Sequence, residues 1–131
     1  GVALCERLSV SGRQVVAVDL DDTARGMVAA RGLGVPTIAG DMTAEDTLRA
    51  ANVSGARYLV LCSGDDLANL EAAIEGRELN PQVVIYARVY KESLARRINE
   101  ALHQNINIFS PYATAACTIL QQMEASNHCD R

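Results

Sequence analysis

VVAVDLDDT, residues 15–23, is the stretch whose reading decides the fold. An unbroken apolar run ends abruptly at Asp19, and Asp21, Asp22 and Thr23 follow directly. A short, continuous apolar run closed by polar residues is what a strand covered on both faces requires. Strands covered on both faces belong to parallel sheets, whose neighbours must be joined by crossover segments, most often helices. The carboxylates therefore stand at the carboxyl end of a buried strand, where such sheets bind their ligands.

Working outward, the same alternation fills the chain. Residues 2–9 (VALCERLS) carry apolar residues at helical spacing, and QVVAVDL (14–20) is the first strand. Residues 22–31 read as a helix punctuated by Gly32 and Gly34, then VPTIAGD (35–41) as a strand and turn. In TAEDTLRAANV, Thr43 is placed to cap a helix, with Asp46 three residues on. ARYLVLCS (56–63) is a strand and 64–81 a helix that Asn80-Pro81 stops, with Asp66 and Asn69 serving its start. QVVIYARV (82–89), the amphipathic helix 90–104, NINIFSP (105–111) and a last helix from Tyr112 to Ala125 complete the pattern. The residues SNHCDR (126–131) read as a polar tail, and no internal repeat or linker is evident. Strands alternating with helices define an α/β, doubly wound parallel sheet in three layers. Its strand ends are Asp19, Gly40-Asp41, Ser63 to Asp66, Arg88 and Ser110-Pro111, all on one edge.

With 131 residues the chain is one domain, and 49% apolar and 21% charged residues are ordinary for a globular protein. The net charge of −4 and a single phenylalanine with no tryptophan argue against a nucleic-acid partner. No apolar run approaches the roughly 20 residues of a membrane span. Cys5, Cys62, Cys117 and Cys129 form no C-x-x-C pair and no metal-ligand spacing with histidine, which fits free thiols in a reducing, cytosolic compartment. Neither His103 nor His128 reads as catalytic.

Two chemistries use an acidic strand end of this kind. Asp19, Asp21 and Thr23 match the D-x-D-x-T of haloacid-dehalogenase-type, Mg-dependent phosphatases, in which the first carboxylate attacks phosphorus. That reading needs a lysine before the later acidic pair Asp65-Asp66, and the only lysine, Lys91, comes after it. The other chemistry is nucleotide binding, with Asp19 accepting hydrogen bonds from ribose hydroxyls and Gly1 opening the helix that faces a pyrophosphate. A carboxylate there favours a bare ribose over a 2′-phosphate. Asp21, Asp22, Asp65 and Asp66 could alternatively gather a divalent cation, since hard ions prefer carboxylate oxygens. A Rossmann dehydrogenase fragment is a third reading, one that lacks room for a substrate domain.

The order and spacing of GVALCERL, VVAVDLDD, IAGDMTAEDTLRAANVSGARYLVL, SGDDLANL, RELNP, VVIYARV and INIFSPYATAA go further. Together they resemble the N-terminal lobe of the RCK (regulator of K⁺ conductance) domain, also called the Trk-type nucleotide-binding domain, over nearly the whole chain. The resemblance implies a Rossmann-like, non-enzymatic lobe at residues 1–125. It would be cytoplasmic, on the inner face of the cell membrane, and attached to a membrane-embedded potassium channel or transporter subunit. It implies NAD(H) or ATP, ADP or AMP as ligand, with a divalent cation for some relatives, and a homodimer or higher ring. Carried onto this sequence, it implies Gly1 at the pyrophosphate turn, Asp19 on the ribose and Asp21 on the adenosine side. Asp41 and Met42 would line the adenine pocket, Ser63 and Gly64 face the phosphates and distal ribose, and Arg88 contacts phosphate or an interface. Residues 111–125 correspond to a crossover or dimerisation helix, with Ala113, Ala116, Cys117, Leu120 and Met123 on its apolar side.

In a sheet ordered 3-2-1-4 the first strand is central, and this sequence begins just after it. That strand is expected upstream or supplied otherwise, and without it two strand edges are expected to stand unpaired. A smaller C-terminal lobe is likewise expected in relatives.

Overall fold

The computed structural model describes residues 2–101 and 105–129. Helices α1 (Val2–Val10), α2 (Arg25–Gly32), α3 (Glu45–Ala50), α4 (Asp66–Leu79), α5 (Glu92–Ala101) and α6 (Pro111–Cys129) alternate with five strands. These are β1 (Ala17–Asp19), β2 (Thr37–Ala39), β3 (Tyr58–Leu61), β4 (Val84–Arg88) and β5 (Ile106–Phe109). Every strand pair is parallel, as both-face burial requires.

The strands form two sheets. β1 pairs with β2 in the register Val18 to Ile38, and β3, β4 and β5 lie in that order, with Val60 opposite Tyr86 and Ala87 opposite Ile108. β1 and β3 do not pair, so each leaves one edge open. The chain is thus a Rossmann-like three-layer α/β arrangement whose sheet is interrupted between β1 and β3.

The core sits on β4. Val83, Ile85, Ala87 and Val89 are fully buried, and Leu61, Ala72, Ala73, Ala95 and Ile108 close around them from β3, α4, α5 and β5. Alanines on α4 let that helix lie close to the sheet, and Gly76 continues this face, since a Cβ there would meet the end of Leu59. Beside the two-stranded sheet, Met27 and Ala30 of α2 and Leu48 of α3 are buried. The turns that reverse the chain after α1 and α2 use Gly12 (φ 79°) and Gly34 (φ 77°), conformations that cost a side chain dearly.

Side-chain amides finish what the short strands leave open. Asn99 of α5 donates to the Ile108 carbonyl at 2.7 Å and accepts from the Ile108 amide at 2.9 Å, covering part of β5's outer edge. Asn80 donates to the carbonyls of Val53 and Ala56, both at 2.9 Å, and ties the end of α4 to the approach of β3.

The helix α6 differs from the sequence reading in length, running through Ser126 to Cys129 instead of giving way to a polar tail at Ser126. From Thr114 to Ser126 every residue is exposed, including Leu120 and Met123. The apolar stripe therefore does not pack on the parent sheet. Among the described residues, no helix is long and apolar enough to cross a membrane. Gly1 and His103 lie outside the described residues, as do the side chain of His128 and residues 130–131.

Candidate strand-end cleft

A cleft of about 200 Å³ opens where β1, β2 and β3 end. Val18, Asp19 and Leu20 form one wall, Gly40, Asp41 and Met42 the floor, and Ser63, Gly64, Asp65 and Ala68 the other wall. A larger hollow of about 410 Å³ lies at the opposite ends of β1 and β2, but Arg13 is its only charged lining residue and no set of polar groups converges there. The acidic and hydroxyl side chains converge instead at the smaller strand-end cleft.

The loops after β1 and β2 are built alike. The Asp21 carboxylate (Oδ1) accepts from the Thr23 amide at 2.8 Å and the Thr23 hydroxyl at 2.6 Å. Asp41 does the same with Thr43, at 2.9 and 2.7 Å. The hydrogen bonds, from the hydroxyl first and the amide second, hold both carboxyls below the usual value of 3.8. Asp-x-Thr is therefore a turn-forming unit used twice, at equal offset from β1 and β2. This accounts for the phosphatase-like letters at Asp19, Asp21 and Thr23 by local backbone chemistry. It also corrects the expected capping role of Thr43, because α3 begins without a side-chain cap while Thr43 serves Asp41.

Asp19 differs from both. Its Oδ1 accepts from the Asp21 amide at 2.9 Å, and among the described residues its Oδ2 has no protein partner. The cleft thus presents Asp19, Asp41 and Asp65 and no basic side chain. Such a surface accepts hydrogen bonds from neutral, donor-rich groups such as vicinal hydroxyls or an exocyclic amine, and repels bare phosphate.

On the β3 side, Asp65 caps α4 by accepting from the Ala68 amide at 3.1 Å, the position that the sequence reading gave to Asp66 and Asn69. Asp66 accepts instead from the Tyr90 amide at 3.2 Å, reaching the second residue after β4. Arg88 lies behind the cleft, with its Nη2 donating to the Ser63 carbonyl at 2.7 Å and its guanidinium 4.9 Å from the Tyr90 ring centre. Tyr90 in turn accepts at its carbonyl from the Ser110 hydroxyl and meets the Tyr112 ring of α6 at 6.2 Å.

Of the residues singled out from sequence, the fold gathers Asp19, Asp41, Met42, Ser63 and Gly64 around one cleft. Asp21 stays in its turn, outside the lining, and Arg88 touches the wall only through Ser63. Asp22 pairs with Arg31 of α2 and is not a purely solvated residue. Among the described residues, no three His, Cys, Asp or Glu side chains gather to hold a metal ion. Sequence reasoning missed Asn69 as a residue of the strand ends, and it missed the repeated turn, whose signal was the recurrence of D-x-T-A at 21–24 and 41–44.

A doubly wound α/β domain with a polar cleft beyond the carboxyl ends of its strands is the class these features define. The chain belongs to the TrkA-N domain family, which matches residues 1–108. In structure it is similar to the TrkA-N domain of the inner membrane protein YbaL from Escherichia coli, with TM-score 0.74 and 25% identity over 92% of this chain and 86% of that one. The NAD(P)-binding domain of an exopolyphosphatase-related protein from Archaeoglobus fulgidus superposes with TM-score 0.77 at 20% identity, covering 95% and 90%. The Kef C-terminal domain of Shewanella denitrificans in its AMP-bound form gives 0.67 at 20% identity, covering 90% and 74%. An uncharacterized protein of Methanothermus fervidus is 38% identical over 64 residues, which is 49% of this chain and 10% of that protein. The chain therefore spans only a small part of that relative's length.

Proposed function

We propose that this chain is the cytoplasmic nucleotide-sensing domain of a potassium channel or transporter, a regulatory and non-enzymatic module that binds NAD(H) or an adenine nucleotide. The observation that carries the reading is the convergence of Asp19, Asp41, Met42, Ser63 and Gly64 on one cleft beyond the strand ends. Asp19 holds the ribose hydroxyls, Met42 packs against the base, and Ser63 and Gly64 border the rest of the ligand. With no basic side chain in the lining, phosphates are held by backbone N–H groups at a helix start, the role that the family resemblance gives to Gly1. The YbaL domain, part of an inner membrane protein by its name, supports a membrane partner, and the AMP-bound Kef domain supports an adenine nucleotide as ligand.

The exposed stripe of α6 supports self-association through that helix, in a homodimer or higher ring. The test is titration with AMP, ADP, ATP, NAD⁺ and NADH. Binding of at least one, lost in Asp19→Ala with the fold intact, is the expected result.

A further inference from the structure

We infer that Asn69 is the positioning residue of the strand-end cleft, a role that rests on the nucleotide reading of that cleft. Asn69 is the fourth residue of α4 and is fully buried, with no exposed surface. A buried polar side chain in a helix interior is expensive unless all its hydrogen-bonding capacity is met. Here it is met completely. The Oδ1 atom accepts from the Ser63 amide at 3.1 Å and the Ser63 hydroxyl at 2.7 Å. The Nδ2 group donates to the Ser63 carbonyl at 3.1 Å and the Arg88 carbonyl at 2.9 Å. Two lone pairs and two protons are thus spent on the tips of two neighbouring strands.

The placement matters because the ladder between β3 and β4 has already ended when these contacts are made, although Arg88 still pairs with Phe109 of β5. The ladder runs from Tyr58 opposite Val84 to Leu61 opposite Ala87, and no strand pairing carries it on to Ser63. Ser63 and Gly64 would otherwise be a loop end beside an open strand edge. Asn69 fixes the amide, hydroxyl and carbonyl of Ser63 together, and so fixes the direction in which the chain enters Gly64 and the cap Asp65. Through Arg88 it sets the same register on β4, from which the Arg88 guanidinium returns to the Ser63 carbonyl. No other amino acid supplies this acceptor-plus-donor pair at that length. Aspartate keeps the acceptor but sets an anionic oxygen against two carbonyls, and leucine removes both.

The test uses Asn69→Leu, Asn69→Asp and, as a remote reference, Ile108→Ala on β5. Affinities for AMP and NADH are measured beside unfolding midpoints and amide hydrogen exchange at Ser63 and Gly64. Asn69→Leu is expected to speed Ser63 amide exchange and weaken nucleotide binding on the order of tenfold or more. Ile108→Ala is expected to lower the midpoint at least as far while leaving affinity near wild type. Asn69→Asp, which retains the acceptor, is expected to keep the Ser63 amide protected while losing affinity to a smaller extent, and it serves if the leucine variant does not fold. Wild-type affinity or unchanged Ser63 protection in folded Asn69→Leu overturns the assignment. So does an affinity loss that merely follows stability in all three variants. If the wild-type protein binds neither nucleotide, the reading of the cleft fails, and Ser63 exchange still decides whether Asn69 holds the strand end.

Discussion

At the scale of single residues, the two Asp-x-Thr turns make the clearest chemistry. Asp21 and Asp41 are exposed, and what lowers their carboxyls is the hydroxyl and amide of the threonine two residues on. Replacing Thr43 by valine removes the hydroxyl donor and leaves the amide, so the Asp41 carboxyl should move up toward its usual 3.8, read by NMR titration. The sign for stability follows from a folded value below the unfolded one. The contribution is present above 3.8 and fades as pH falls through the lowered folded value, so wild type should lose more on acidification than Thr43→Val. Gly40, between β2 and this turn, has a different constraint. A Cβ there would stand 2.8 Å from the Thr47 hydroxyl and 3.0 Å from its methyl. Gly40→Ala should therefore cost about 1–3 kcal/mol by overpacking. In the double variant with Thr47→Ala that overpacking cost should largely disappear, a coupling that denaturant titrations of the four proteins would show.

At the scale of elements, edges and ends decide. Asn99 supplies β5 with both a donor and an acceptor at Ile108, in the manner of a neighbouring strand. Asn99→Leu strands those two backbone groups and should destabilise by about 1–3 kcal/mol, with aggregation rising as the edge opens. On α6, where Leu120 and Met123 are exposed, Leu120→Glu should leave the unfolding midpoint nearly unchanged and weaken any self-association, measured by sedimentation across concentration. The existence and order of the elements were legible because the apolar runs at 15–18, 58–62 and 83–87 are short and closed by polar residues. Strand lengths were not: β1 and β2 each pair over only three residues, because pairing depends on the neighbour and not on the run itself. Nor was the role of Thr43, since the same hydroxyl suits a helix cap and an Asx-type turn, and the nearby Asp41 wins it.

At the scale of the whole molecule, the fold is a core built on β4 with an interrupted sheet and a row of acidic strand ends. Ile85 has no exposed surface at the centre of that core, and Ile85→Ala should cost about 2–5 kcal/mol in unfolding free energy. The cleft itself was largely legible, because parallel topology sends every strand end to one edge once the alternation is read. Its support was not. Asn69 reads as a helix-start residue in sequence, and its actual partners include the carbonyl of Arg88, nineteen positions away. Only the assembled layers bring such groups together. The most direct test of the account is calorimetric titration of the protein with AMP and NADH, run beside Asp19→Ala. Saturable binding of a nucleotide that disappears in the folded variant is predicted. Binding that Asp19→Ala leaves untouched, or no binding by the folded wild-type protein, would contradict it.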